Sequence, residues 1–310
     1  MDRYAVIGNP VAHSLSPRIH ALFASQTHQA IVYERLLAPL GGFSDAAERF
    51  FRGGGSGLNV TVPFKAQAAA WVSELDHAAA VAGAVNTIAL SLPGSSNETA
   101  PSGRQNTRKD PRQLEDFPGG AGKLRTIGFN TDGPGLVRDL KNNYEQRLGG
   151  KRILVLGAGG AVQGVLRPLL AERPIELCIA NRTAEKARRL ASALNREGLG
   201  AETGVRVTGV GLDELEDGFD LVISGTSAGL SGDRASVPAP VVRGAFCYDM
   251  IYGAQTDFCQ WAEANGARQV ADGIGMLVEQ AALAFEIWRG VAPETAPVLQ
   301  LLRNERTLQA

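Results

Sequence analysis

A lysine stands where a helix should begin, an early sign of chemistry in this chain. Leu58-Asn-Val-Thr-Val62 alternates as a strand does, Pro63 suits a helix's first position, and Lys65 falls in the opening turn. The helix dipole disfavours a cation there, so Lys65 either snorkels to water or has a proton to handle. Neutral hydrogen-bonding groups accompany it. His13-Ser-Leu-Ser-Pro17 precedes another helical pattern; Ser16 before Pro17 reads as an N-cap, whereas Ser14 has no such local explanation. Asn59 and Thr61 share one strand face, which fits either exposure or a polar pocket. Asn86 and Asp132 lie in turn-like sequence, Ala84-Val-Asn-Thr87 and Asn130-Thr-Asp-Gly133, where both types are common for local reasons. Gln280, set among Leu277, Val278, Ala281, Ala282 and Leu283, is expected to face something polar inside.

A second constellation names a ligand. Lys151-Arg-Ile-Leu-Val-Leu-Gly-Ala-Gly-Gly-Ala161 is an apolar strand breaking at Gly157 into a Gly-rich turn and then a helical segment. Bare amides at such a junction, with the helix N-terminus behind them, hold a pyrophosphate. Gly157 serves the tight turn and Gly159 the close approach of phosphate. Val162 stands where the fingerprint wants a third Gly or Ala. The next strand ends in Asn181-Arg-Thr183, followed by Ala184, Glu185 and Lys186. An NAD site would place a carboxylate at that strand end, whereas Arg182 with Lys186 one turn later suits a 2′-phosphate. The cofactor expected is NADP. An ammonium, a carboxylate and many neutral groups beside NADP suit hydride transfer to a small polyhydroxylated substrate.

Composition excludes other classes. The 310 residues carry a net charge of −1, so no electrostatic footprint for nucleic acid exists. No apolar run reaches the roughly 18 residues of a membrane span, and Met1-Asp2-Arg3-Tyr4 has no signal-peptide design. The 3 cysteines, Cys178, Cys247 and Cys259, sit among apolar neighbours without metal spacing. A cytoplasmic location with no bound metal is expected.

Short apolar runs alternate with helical patterns throughout. Strands are expected at Tyr4–Gly8, Ile31–Arg35, Gly57–Val62, Arg152–Leu156, Ile175–Ala180, Val205–Val210, Leu221–Ser224 and Cys247–Met250. Helices are expected from Pro17, over Gly42–Arg52, from Pro63, from Pro134, and over Gly275–Trp288. Residues 91–126 break the rhythm and read as a flexible surface insertion.

In order along the chain stand Gly8-Asn-Pro-Val-Ala-His-Ser-Leu-Ser-Pro17, Asn59-Val-Thr-Val-Pro-Phe-Lys65, Gly83-Ala-Val-Asn-Thr87, Gly128-Phe-Asn-Thr-Asp-Gly133, Gly157-Ala-Gly-Gly-Ala161, Asn181-Arg-Thr183 and Asp272-Gly-Ile-Gly-Met-Leu-Val-Glu-Gln280. In these motifs the chain resembles the shikimate dehydrogenase family, over nearly its whole length outside the insertion. The resemblance implies reversible NADP-linked oxidation of shikimate to 3-dehydroshikimate, on the route to chorismate and the aromatic amino acids. It implies that Ser14 and Ser16 hold the substrate carboxylate, and that Asn86, Asp132 and Gln280 bind its hydroxyls. Asn59 and Thr61 would line the same pocket and Tyr252 its edge. Lys65 would be the acid/base, paired with Asp132. Gly157 to Ala161 would take the dinucleotide, Asn181 to Lys186 its 2′-phosphate, and Thr226, Met250 and Gly273 the nicotinamide end. His77 departs from the acidic residue the family often has there, so no role is carried over to it.

The expected fold class is α/β: an N-terminal mostly parallel α/β substrate domain plus a Rossmann-type NADP-binding domain, with a cleft between them. The substrate domain is expected at 1–133, completed by the C-terminal helix 275–310, and the NADP domain at 134–274. The expected partner is the small-molecule substrate, with a homodimer as the assembly. Quinate is the rival substrate, but members favouring it often alter the serine pair or the 2′-phosphate residues, and Ser14, Ser16 and Arg182 all stand. A non-catalytic NADP-responsive sensor would have lost Lys65 or Asp132, and both are present.

Overall fold

The alternation of β-branched runs with amphipathic segments folds, in a computed structural model, into two six-stranded sheets. The structure describes residues 1–91, 124–226, 237–253 and 256–307. The insertion expected at 91–126 therefore falls almost wholly outside the described residues. Two compact units result: 1–131 with 281–298, and 132–280 with 299–310.

The first unit contains β1 (Asp2–Gly8), α1 (Ser16–Gln26), β2 (Ile31–Leu37), α2 (Phe43–Arg52), β3 (Gly55–Val60), α3 (Lys65–Trp71), β4 (Glu74–Leu75), α4 (His77–Ala82), β5 (Thr87–Leu90) and β6 (Thr126–Phe129). Its strand order is β2-β1-β3-β5-β6-β4. β1 pairs in parallel with β2 and β3, and β4 with β6, while β5 runs antiparallel to β3 and β6. The sheet is thus parallel-rich with one reversed strand. β4, β5 and β6 are not among the strands expected from the sequence; each is four residues or shorter, at or under the shortest run in which alternation can be read.

Helix α10 (Ile274–Arg289) carries its second half into this unit. There Trp288 Nε1 donates to the Ile88 carbonyl at 3.0 Å and the ring stacks on Tyr4 at 4.7 Å. Gly57 permits that approach, since a Cβ would lie 2.5 Å from the Trp288 Nε1. Arg289 binds Asp2 and Gln29, tying the helix end to the start of the sheet.

The second unit contains α5 (Asp132–Arg138) and a π turn (Asp139–Asn143), then β7 (Arg152–Leu156), α6 (Gly160–Ala171), β8 (Glu176–Asn181), α7 (Ala184–Arg196), α8 (Leu199–Thr203), β9 (Arg206–Gly211), β10 (Leu221–Ser224), β11 (Phe246–Asp249), α9 (Asp257–Ala264) and β12 (Gln269–Asp272). The order β12-β11-β10-β7-β8-β9 is parallel throughout. This is the doubly wound arrangement whose topological switch lies between β7 and β10. Helix α11 (Ala296–Thr307), which the sequence pattern merges into one C-terminal helix, places Arg306 on Asp272 at 2.8 Å and Arg303 on the Tyr144 hydroxyl at 2.7 Å. Buried Asp139 accepts from the Tyr248 hydroxyl at 2.7 Å. Burial pushes the Asp139 carboxyl up, opposed by the bonds from Tyr248 and Asn143. Among the described residues no helix is long and apolar enough to cross a membrane.

One core residue of the first unit is an anomaly. His20 on α1 is fully buried, stacked on Tyr33 at 4.3 Å with Phe23, Phe285 and Trp288 around it. Neither ring nitrogen makes a hydrogen bond of ordinary geometry. Burial holds its pKa down at about 3, with a smaller opposing effect from the Asn59 amide. Below about pH 6.5 the unfolded chain takes up a proton that the folded chain refuses. Stability should then fall by up to about 1.4 kcal/mol per pH unit from this group, ending near pH 3. Urea unfolding of His20→Phe across this range should show a shallower acid decline than the parent chain; parallel declines would contradict the assignment.

Candidate functional site

Ser14, Ser16, Asn59, Thr61, Lys65 and Asn86 gather at one end of the first sheet, because β5 is reversed. β1 and β3 end there, β6 ends there, and antiparallel β5 begins there. The loop after β1 therefore brings Ser14 and Ser16, the end of β3 brings Asn59, Thr61 and Lys65, and the start of β5 brings Asn86. Carboxyl ends of strands are where open α/β sheets bind ligands. The Asn9 amide donates to the Val62 carbonyl at 3.0 Å, joining the two loops.

Ser16 is not the cap it was expected to be. Helix α1 starts at Ser16 itself, with Leu15 at the N-cap, Pro17 in the first turn and no side-chain cap bond. The Ser14 hydroxyl instead lies 3.2 Å from the Ser16 hydroxyl and 3.3 Å from its backbone nitrogen. Two hydroxyls at the head of an eleven-residue helix form a site suited to a carboxylate. Pro63 also misses its expected position: α3 starts at Lys65, with Phe64 at the N-cap, so the lysine is the first helical residue. Its carbonyl accepts from Val85 at 2.9 Å, and its side chain is half-buried.

Asn59 shows that strand alternation does not mean an exposed polar face. Leu58, Asn59 and Val60 are all buried, so β3 is covered on both faces. The Asn59 Nδ2 donates to the Asn86 carbonyl at 3.2 Å and the Thr87 hydroxyl at 3.1 Å, while its Oδ1 accepts from Tyr33 at 2.7 Å. Thr87 in turn donates to Asn86 Oδ1 at 3.0 Å. Asn86 Nδ2 donates to Thr131 at 2.9 Å, and the Thr131 amide returns a bond to Asn86 Oδ1 at 2.9 Å. Thr61 follows the strand, and Gly8 is needed beside it because a Cβ would overlap its methyl group. The network members Tyr33, Thr87 and Thr131 were missed from sequence; the signal available was Tyr33 on the inward face of β2.

Asp132 and Gln280 belong to the second unit. Asp132 opens α5 and is buried, at 8% exposure. Gly135, one turn later, lets α10 come close: a Cβ there would lie 2.8 Å from the Gln280 Cβ. The half-buried Gln280 amide donates to the Leu277 carbonyl at 2.8 Å.

The turn after β7 has the form its glycines promise. Gly157 takes a φ of +113° and donates to Ala180 at 2.7 Å. Gly159 is the N-cap of α6, and Gly159, Gly160 and Ala161 are exposed. Val162, the departure from the fingerprint, is fully buried and fits because Gly225 faces it: a Cβ on Gly225 would overlap the Val162 methyl. Gly273 is required for a similar reason, as a Cβ there would overlap the Met250 carbonyl oxygen. Thr226, Met250 and Gly273 thus follow β10, β11 and β12 at the same edge as the Gly157 turn. At the end of β8, Asn181 Nδ2 donates to the Thr183 carbonyl at 3.0 Å. Arg182 and Lys186 are exposed there, whereas Glu185 pairs with Arg189 at 3.1 Å. Bare amides at a helix head with exposed cations at the β8 end fit a 2′-phosphorylated dinucleotide. Tyr252 is half-buried, next to Gly253, whose amide donates to Asp272 at 3.2 Å. Among the described residues no cluster of His, Cys, Asp or Glu is arranged to hold a metal.

Comparison with known proteins places these features in context. Residues 6–88 match the description "Shikimate dehydrogenase substrate binding domain", residues 139–231 "Shikimate / quinate 5-dehydrogenase", and residues 273–303 "Shikimate 5'-dehydrogenase C-terminal domain". The chain is 49% identical to a shikimate dehydrogenase (NADP(+)) of Alkalilimnicola ehrlichii, covering 98% of this chain and 99% of that one. A protein of the same name from Hahella chejuensis is 48% identical, with 98% and 99% covered. Among solved structures, shikimate 5-dehydrogenase of Thermus thermophilus, in complex with NADP(H) and shikimate, aligns with a TM-score of 0.73 at 30% identity, covering 98% of this chain and 99% of that chain.

Gly225→Ala tests the packing that excuses Val162. The forced overlap should cost about 1–3 kcal/mol in chemical denaturation, and Gly225→Ala combined with Val162→Ala should recover most of it. A single variant as stable as the parent would contradict the contact.

Proposed function

The chain belongs to the shikimate dehydrogenase family, and from that premise we propose that it catalyses the reversible, NADP-dependent interconversion of shikimate and 3-dehydroshikimate. This is an oxidation of a ring alcohol on the route to chorismate and the aromatic amino acids. One observation carries the substrate assignment: Ser14 and Ser16 meet at the head of α1, at 3.2 Å, with neither used as a helix cap. That pair receives the substrate carboxylate. Asn86, Asp132 and Gln280 bind the ring hydroxyls; Thr61 lines the pocket and Tyr252 its edge. Asn59, with its amide already bonded to Tyr33, Asn86 and Thr87, acts by holding Asn86.

The bound cofactor supplies or takes up the hydride. Lys65 handles the proton. In oxidation a neutral Lys65 takes it from the alcohol, and in reduction its ammonium returns it to the oxygen on which charge collects. Asp132 is the partnering carboxylate. Gly157, Ala158, Gly159, Gly160 and Ala161 receive the pyrophosphate, and Thr226, Met250 and Gly273 border the nicotinamide. Asn181 through Lys186 surround the 2′-phosphate, with Arg182 and Lys186 as its charges. Three buried free thiols, Cys178, Cys247 and Cys259, support a cytoplasmic location. A homodimer belongs to the same proposal; β2 ends its sheet with Val32 and Leu37 exposed, an edge that a second copy could cover.

Shikimate with NADP should give steady cofactor reduction, and Lys65→Ala should lower kcat by about 10²–10⁴ with KM for shikimate changed only a few-fold. Near-normal turnover would remove Lys65 from this role. Arg182→Ala should raise KM for NADP by about ten-fold or more while leaving NAD kinetics alone. Equal losses with both cofactors would contradict contact with the 2′-phosphate.

A further inference from the structure

Strand β2 contributes no residue to the site as assigned so far, yet two of its side chains reach the serine loop. Tyr33 and Arg35 lie two apart, on one face of the strand. Arg35 donates through Nε and Nη2 to the Ser14 carbonyl, at 3.1 and 2.7 Å. The Tyr33 hydroxyl donates to Asn59 Oδ1 at 2.7 Å; burial pushes the phenol's pKa well up, with a smaller opposing effect from nearby Ser16. Hydrogen bonds run from Tyr33 to Asn59 and from Asn59 to Thr87 and the Asn86 carbonyl, while Arg35 of the same strand holds the Ser14 end of the serine pair.

We propose that Tyr33 is a positioning residue for the reaction: its hydroxyl fixes the Asn59–Asn86 amides and, with Arg35 of the same strand holding the serine loop, sets the spacing between the carboxylate and hydroxyl ends of the substrate subsite. The inference rests on the functional reading above, in which Ser14 and Ser16 take the carboxylate and Asn86 a ring hydroxyl. Geometry gives Tyr33 this role in two ways. Its single proton can satisfy only one acceptor, and giving it to Asn59 Oδ1 orients that amide with Nδ2 toward Asn86 and Thr87. The reverse orientation would set Oδ1 against the Asn86 carbonyl, which can only accept. The ring itself is held in plane by His20, stacked at 4.3 Å with an interplanar angle of 8°. When a carboxylate arrives, the serine hydroxyls can rotate toward it while Tyr33 and Asn59 stay fixed. The hydroxyl-binding end is then set before the ligand enters. Linked bonds of this kind polarise one another, so losing one member weakens the rest.

The test is steady-state kinetics on Tyr33→Phe, Asn59→Ala and the double variant, varying shikimate at saturating NADP and then the reverse. Tyr33→Phe should raise KM for shikimate about ten-fold, with KM for NADP unchanged. The double variant should be no worse than the poorer single variant, because both break the same chain. An unchanged KM for shikimate, a matching rise for NADP, or losses that multiply would each overturn the proposal. Where Tyr33→Phe fails to fold, Tyr33→Phe combined with Asn59→Leu removes the acceptor that the single variant orphans and leaves the Asn86 carbonyl its bond from the Val60 amide at 2.8 Å; the same selective rise is expected, and its absence overturns the proposal. A parent chain that does not reduce NADP with shikimate would sink the functional reading instead, which keeps the two failures distinct.

Discussion

The first unit depends on a simple demand: a buried amide must find every one of its hydrogen bonds inside the protein. Asn59, at 6% exposure, satisfies it through Tyr33, Asn86 and Thr87, and Asn86, at 2%, through Thr87 and Thr131. An orphaned group here would cost about 1–3 kcal/mol, so each amide is locked in one orientation by its neighbours. That requirement makes the end of the sheet rigid. A polar subsite whose members already hold each other needs no reorganisation when a polyol binds, and under the proposed function its neutrality leaves the proton chemistry to Lys65 and Asp132.

The second unit solves a different problem, the close approach of backbones. Gly157 turns with φ +113°, Gly225 makes room for Val162, and Gly273 makes room for the Met250 carbonyl. Removing side chains at these points brings the ends of β7, β10 and β12 to one edge and leaves the amides of α6 exposed. Under the proposed function, charge at the end of β8 then discriminates between dinucleotides. Exposed Arg182 and Lys186 stand where a carboxylate would otherwise meet a ribose hydroxyl.

Much of this was legible in the residues. The central strands of the doubly wound sheet, β7, β8 and β10, are largely apolar runs buried on both faces, and such runs were expected from the sequence. The glycine turn and Arg182 could be read because their chemistry is local. Less visible was anything that depends on pairing across the sheet. β5 is four residues long and reversed, so nothing near Asn86 announced that it would meet Asn59 and Thr131. Ser16 looked like a cap because Ser-Pro usually is one; the helix instead begins a residue earlier, at Ser16 itself. Val162 looked like a defect until Gly225, far along the chain, supplied the missing volume. Tyr33 and His20 were passed over because an aromatic strand residue and a lone helical histidine are ordinary core material.

A crystal structure with shikimate and oxidised NADP, set beside one without ligands, tests the account most directly. It should place the ring carboxylate on Ser14 and Ser16 and the reacting alcohol at Lys65 and Asp132, with the Asn59 and Asn86 amides moved by less than about 0.5 Å. A substrate bound with its carboxylate away from the serine pair, or amides that flip to receive it, would contradict the claim that the subsite is built in advance.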